Sequence, residues 1–454
     1  MKMNKRKQGI LFPLVILGML ISMNHSVFAQ GEELKFTLEE AKTYAVKNSY
    51  QSRLAAKDVE KSERKVKETI STGLPQVNAT GNYQQFLETP IQLIPGEAIG
   101  MPQEEFVEVF FGTEQSMGVD IKAEQLIFDG SYFVGLQAAK VYLELSKNDL
   151  EKSENEIKNL VTQAYGNVLV AEKNAEILKG NRDNLDKMLF ETSELYENGF
   201  REEQDRDQIK LSFNQTQNQY DQAVRQIDIS RNQLKLAMGI SIEQEITLSD
   251  KLENITIQSK NESFLENEFK IDNHIDYRSI LTQENAGKLL WKQQKSTYLP
   301  KLNAFYSYQQ NSFSNEFDFF SGADWFPTQL VGLSLNVPIF SSFGRHHRIQ
   351  QAKIDVEKIE ISKMQLSQKL KIDAANAKSN YALAIRQYEN ANENLALAES
   401  IYDKTEEKYK EGMVNSLELT QSNNQLLESQ GAFIKASFQL INSKVELDKA
   451  LNNY

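Results

Sequence analysis

Cysteine is absent from all 454 residues. That excludes a disulfide framework, a thiol nucleophile, a Cys-ligated metal and a lipidated N-terminal cysteine. Beyond residue 30 there is no apolar run long enough for a membrane-spanning helix, so no such helix is expected in the body of the chain. No glycine-rich phosphate cradle occurs, and the 63 acidic residues are too scattered for a Ser/His/Asp or paired-carboxylate arrangement to stand out. We therefore expect no enzyme, no cofactor and no catalytic or metal site. Two of the four histidines, His346 and His347, lie between Arg345 and Arg348, but adjacent residues of a helix face different sides and do not share a metal.

The N-terminus has the form of a cleaved leader. Lys2, Lys5, Arg6 and Lys7 precede an apolar run from Ile10 to Ile21, and Val27-Phe28-Ala29 offers compact residues for cleavage after Ala29. A single uncleaved helix anchor is the competing reading, and Pro13 and the short run argue against it. Removal of residues 1–29 takes four positive charges from a net −12, leaving −16. An exported chain so acidic is a poor non-specific binder of nucleic acid.

Proline is also missing from Gly344 to Glu411, and glycine does not recur until Gly412. Within that stretch Ala377, Ala384, Ala391 and Ala398 recur every seventh residue. A second seven-residue series is Ala374, Tyr381, Tyr388, Leu395, Tyr402 and Tyr409. A strict heptad of small and large residues is a coiled-coil seam, here roughly 100 Å long.

The rest of the chain follows one programme twice. Thr37-Leu38-Glu39-Glu40 is a capping box that opens a helix expected to run to about Thr72, stopped by Gly73-Leu74-Pro75. Val77, Ala79, Gly81 and Tyr83 then alternate with polar residues, as do Met117, Val119, Ile121, Ala123 and Ile127, predicting two strands with one apolar face each. The loop Leu87–Gln115 between them, with Pro90, Pro95, Pro102, Phe106, Val107, Phe110 and Phe111, is expected to cover or constrict something. A long helix from Ser131 to Asn198, a closing Gly199 and a return helix from Glu202 to Met238 follow.

After a connector at 240–275, a helix from Asp276 to Thr297 is stopped by Tyr298-Leu299-Pro300. Leu302, Ala304, Tyr306 and Tyr308, then Val331, Leu333, Leu335 and Val337, predict two more strands. Tyr196, Gly199, Ala223, Leu234 and Ala237 recur 213 residues later as Tyr409, Gly412, Ala436, Leu447 and Ala450. The expected units are residues 30–239 and 276–454, each helix, two strands, long helix and return helix. The aromatic loop Asn311–Thr328 suits membrane-interface anchors, an external lid or a self-packed loop.

Four strands cannot close a barrel, and their edges invite pairing. A membrane wall built from these strands needs several chains: two give eight strands and three give twelve, and periodicity does not choose. A soluble sandwich would leave the long helices unexplained.

In these motifs the sequence resembles the TolC-like outer membrane efflux proteins over essentially its whole mature length. The resemblance rests on Thr37-Leu38-Glu39-Glu40-Ala41, the two Leu-Pro helix stops, Ile127-Phe128-Asp129-Gly130 with Pro338-Ile339-Phe340, Asp276-Tyr277-Arg278, and Tyr-x-x-Gly at both long-helix ends. It implies a mainly α fold in which a coiled-coil α-helical barrel continues into a trimeric 12-stranded outer-membrane β-barrel. It implies a passive conduit for small molecules such as drugs or metals, with a periplasmic adaptor and an inner-membrane RND or ABC transporter as partners. Protein secretion with an ABC exporter, and a periplasmic coiled-coil spacer without a pore, are the alternatives. No long C-terminal extension is expected beyond Tyr454.

The resemblance also assigns sites. Gly199, Phe200, Gly412 and Met413 are the adaptor-docking tips. Glu418 stands where the family carries an aperture aspartate, Gln421 at a second acidic position, and Asp205 accepts a hydrogen bond from Tyr409. The family's gate arginine falls on Val414, leaving Arg201 or Arg206 as substitutes.

Overall fold

A computed structural model of the single chain describes residues 34–100, 106–110, 112–266 and 268–453. The expected leader at 1–29, Pro102 and Phe111 lie outside the described residues.

The first half contains β1 (Leu34–Phe36), α1 (Leu38–Asn48), α2 (Tyr50–Ser71), β2 (Gln76–Gln85), β3 (Ile91–Pro95), β4 (Phe106–Phe110), β5 (Gln115–Asp129), α3 (Gly130–Glu197) and α4 (Glu203–Met238). Then come β6 (Ile246–Leu248), α5 (Leu252–Ser259), α6 (Ser263–Glu266), α7 (Ile275–Ser296), β7 (Lys301–Ser314), β8 (Trp325–Asn336), α8 (Gly344–Lys410) and α9 (Ser416–Leu451). At 68 and 67 residues, α3 and α8 each span about 100 Å. Each packs against its return helix, α3 on α4 and α8 on α9. The heptad residues Ala377, Ala384, Ala398, Tyr381, Tyr402 and Tyr409 are buried: small residues bring the helix axes close, and the tyrosines fill the remaining space.

Two expectations change at the first helix and the first loop. The helix predicted from Thr37 to Thr72 is broken at Ser49, whose ψ of 147° ends α1 and whose hydroxyl accepts from the Ser52 N–H to cap α2. A serine inside a helical pattern is as good an N-cap as an interior residue, and packing decides between them. The loop at 87–115 contains an antiparallel hairpin, β3 with β4, around a 3₁₀ turn at Gly96–Ile99.

The connector is ordered by the long helices. β6 pairs in parallel with β1, and the hydroxyl of buried Tyr165 lies 3.0 Å from the Phe36 carbonyl and 2.9 Å from Asp250 Oδ2. Asp250 Oδ2 also accepts from the Leu38 N–H at 2.8 Å. On the other side the Tyr381 hydroxyl receives the Asn261 N–H at 3.0 Å.

The strands form one antiparallel sheet in the order β2-β5-β7-β8. Its register aligns Ala79 with Ile121, Ile121 with Tyr308, Tyr306 with Val331, and Leu302 with Leu335. Directly paired residues share a face, so all four strands turn their apolar residues to the same side, where Gln125, Gln310, Ser312 and Gln329 interrupt them. The alternation predicted for β5 shifts at its end: a bulge between Leu126 and Phe128 sets Phe128, not Ile127, opposite Leu302 on that face. Among the described residues the outer edges of β2 and β8 have no strand partner. The single chain is thus an open four-stranded sheet on a long helical body, not a closed barrel. Among the described residues no helix is long and apolar enough to cross a membrane.

Candidate functional site

The two ends of the molecule farthest from the sheet are the turns between α3 and α4 and between α8 and α9. Both turns are built alike. At the first, Phe200 N–H donates to Leu195 O at 2.7 Å and Gly199 N–H to Tyr196 O at 2.9 Å. At the second, Met413 donates to Lys408 O at 2.8 Å and Gly412 to Tyr409 O at 3.0 Å. Paired six-to-one and five-to-two bonds are the Schellman helix stop, which satisfies the last carbonyls by turning one residue left-handed. Gly199 and Gly412 hold φ of +80° and +74° with open space where a Cβ would lie. Backbone conformation, not crowding, therefore calls for glycine there. The stop leaves Phe200 76% and Met413 69% exposed, two apolar side chains at the extremities.

Just above the turns the two hairpins are fastened to each other. Ile209 of α4 packs with Tyr402, Tyr409, Leu419 and Met188, and Val414 lies against this cluster. The Arg201 guanidinium stacks 4.4 Å from the Tyr409 ring centroid and donates to the Tyr409 carbonyl at 2.8 Å. Asp205 Oδ2 is 4.0 Å from the same guanidinium, and its Oδ1 accepts from the Ser416 N–H at 3.4 Å. The Tyr409 hydroxyl hydrogen-bonds with Thr192 Oγ1 at 3.3 Å. The expected bond from Tyr409 to Asp205 is not made within the chain: the carboxylate faces Arg201 and Ser416 instead, and Thr192 takes the hydroxyl. Burial raises the Tyr409 pKa; the Thr192 hydrogen bond and the Arg201 charge oppose this and the Asp205 charge adds to it, so the ring remains a neutral partner for the stacked cation.

A family model for outer membrane efflux proteins matches residues 45–240 and 278–453. The chain belongs to the outer membrane efflux protein family. Solved structures share its fold. The CmeC outer membrane channel of Campylobacter jejuni superposes with a TM-score of 0.68 at 18% identity, over 91% of this chain and 85% of that one. CusC gives 0.70 at 14% identity over 94% and 95%, and the open-state MtrE channel of Neisseria gonorrhoeae 0.66 at 15% over 91% and 88%. No curated protein sequence matches. The family is one of channels, not of enzymes.

In this efflux protein the remaining tip residues stand apart from the Arg201–Tyr409 cluster. Glu418 and Gln421 are exposed on α9. Asn415 caps that helix by accepting the Glu418 N–H at 3.0 Å, and Glu418 is the acid of its first turn, where the helix dipole favours negative charge. Arg206 stacks 4.6 Å from the Tyr196 ring and pairs with Glu203 and Asp207 at 3.0 and 2.7 Å. Sequence reasoning missed Thr192, Asn415 and Ser416. The Asn-x-x-Glu spacing at Asn415 is a legible capping signal, whereas Thr192 carries none. Among the described residues no cluster suited to a metal ion occurs.

Proposed function

We propose that three copies of this chain close their sheets edge to edge, β8 of one against β2 of the next, into a 12-stranded outer-membrane barrel continuous with a tunnel of twelve helices. The reading follows the duplicated units, 30–239 and 276–454 around the connector at 240–275, after removal of the leader at 1–29. The observation that carries it is the sheet itself. Four strands put most of their apolar residues on one side and leave both edges open, an arrangement that suits lipid only once every backbone group is paired.

The assembly is a passive conduit from periplasm to exterior. An inner-membrane pump drives export through it, and a periplasmic adaptor meets the exposed Phe200 and Met413 at the glycine turns. Glu418 and Gln421 line the aperture between the tips, and the Arg201–Tyr409–Asp205 cluster holds it shut. The cargo is small molecules such as drugs or metals.

The test is direct. Protein from outer-membrane fractions should run as a heat-labile trimer and give discrete single-channel steps in planar bilayers. A monomer without conductance would refute the conduit.

A further inference from the structure

The passage from β8 into α8 combines bare apolar side chains with unopposed positive charge. From Trp325 to Ile354 the chain carries Arg345, His346, His347, Arg348 and Lys353 and no aspartate or glutamate, in a protein of net charge −12; of these Lys353 is paired, with Glu357 at 3.3 Å. His346, His347 and Arg348 are exposed, and neither Arg345 nor Arg348 has an ion-pair partner among the described residues. The first turn of α8 has no acid, and Phe343 gives it no side-chain cap. Four basic or titratable groups thus stand at the positive end of a helix dipole, where they are least favoured.

Directly before them Ile339 is 93%, Phe340 76% and Phe343 67% exposed. In sequence they follow Leu333, Leu335 and Val337 at the end of the sheet, all exposed. The handover from β5 to α3 is different. There Asp129 accepts the Ser131 N–H at 2.8 Å and pairs with Lys301 at 2.7 Å, and the next basic residue is Lys140. The basic cluster is therefore not what a strand-to-helix passage requires.

We propose that Arg345, His346, His347 and Arg348 bind the headgroups of anionic phospholipid at the helix-side rim of the membrane, with Ile339, Phe340 and Phe343 among the acyl chains. The proposal rests on the sheet being a membrane wall. Free phosphate would answer the charge and leave the three apolar side chains in water. A zwitterionic lipid would cover those side chains without answering the charge. An anionic lipid does both, as paired basic and aromatic residues do at membrane interfaces. One site per chain gives three around a trimer.

Full-length mature protein reconstituted in mixed phosphatidylethanolamine and phosphatidylglycerol vesicles, then extracted in detergent, tests this by mass spectrometry of the lipid it retains. Phosphatidylglycerol should be enriched on the order of tenfold. The enrichment should vanish in R345Q/R348Q, persist in R345K/R348K, and persist in K140Q at the other passage. Equal retention of the two lipids, or enrichment surviving in R345Q/R348Q, overturns the site. Loss of enrichment to added inorganic phosphate, but not to chloride at equal ionic strength, overturns it in favour of a general anion site. Protein that fails to insert at all sinks the membrane-wall reading and the lipid site with it; protein that inserts and conducts without enrichment sinks the lipid site alone.

Discussion

The two halves of the chain close the same joint by different chemistry. In each, a return helix ends against the N-cap of a 22-residue helix that leads into the sheet, α4 against Ser49 of α2 and α9 against His274 of α7. Each return helix ends on a left-handed residue, Gly239 at φ +75° and Asn452 at φ +56°. The closing bonds match: Ile240 N–H to Lys235 O at 2.8 Å, and Asn453 N–H to Asp448 O at 2.9 Å. At Gly239 the backbones touch, and a Cβ would lie 2.5 Å from the Asn48 carbonyl oxygen. At Asn452 the side chain is the joint, accepting from Ile275 N–H at 3.3 Å and donating to Asn273 O at 3.1 Å. Duplication has kept the backbone turn while the material filling it has diverged.

That contrast predicts unequal answers to reciprocal exchange. Gly239→Asn drives a side chain into backbone that has no slack, and should cost at least about 3 kcal/mol. Asn452→Gly removes two hydrogen bonds from a turn glycine tolerates well, and should cost about 1 kcal/mol. Thermal melts followed by circular dichroism would resolve the two. Equal losses would mean the joints are alike after all.

The tips offer a second comparison, between two arginines stacked on equivalent tyrosines. Arg201 is largely buried, with 15% of its side chain exposed, and joins one hairpin to the other through the Tyr409 ring and carbonyl. Arg206 stacks on Tyr196 of its own hairpin. Both side chains are partly buried, at 15% and 28% exposed, so what separates the two stacks is which hairpins each one joins. Under the proposed gating role, R201A and the double variant D205N/Y409F should both raise single-channel conductance, and R206A should leave it nearly unchanged. An opening by R206A as large as by R201A would remove the distinction.

What the sequence disclosed follows from how each feature is encoded. The long helices were readable because the alanine and tyrosine ladders repeat over many turns, and the strands because Val77 to Tyr83 and Val331 to Val337 alternate strictly. The glycine turns were readable because Gly199 and Gly412 each end a helical run and recur in register. The break at Ser49 was not, since the backbone packed against it, at Gly239, lies far along the chain. The partners of Tyr409 were hidden for the same reason. Thr192 and Arg201 come from two segments far from Tyr409 in the chain, and no local spacing relates them to it. The bulge at Ile127 was concealed because two apolar residues, Ile127 and Phe128, competed for one position on the face.

The caps of α2 and α7 sharpen the comparison of halves through pH. Ser49 caps with a hydroxyl that does not titrate in the working range. His274 caps with ring Nδ1, which accepts from the Asp276 N–H at 3.2 Å and can do so only while neutral. Burial lowers the His274 pKa from its ordinary 6.5; Asp276 of its own helix, Asp373 of α8 and the Lys449 carbonyl of α9 oppose this, while Lys152 of α3 adds to it. A base whose folded pKa is depressed binds fewer protons folded than unfolded. Its contribution to stability is therefore complete above about pH 6.5 and is lost as pH falls toward the folded pKa. Protonation also removes the cap, worth about 1 kcal/mol. Hydrogen exchange at the first turn of α7 should then speed up about fivefold relative to the intrinsic rate once pH falls below the folded pKa of His274, with no such change at the first turn of α2. His274→Ser should remove the difference by giving the second half the cap of the first. If α7 in that variant still loosens in acid, the sensitivity belongs to the surrounding carboxylates and not to the cap.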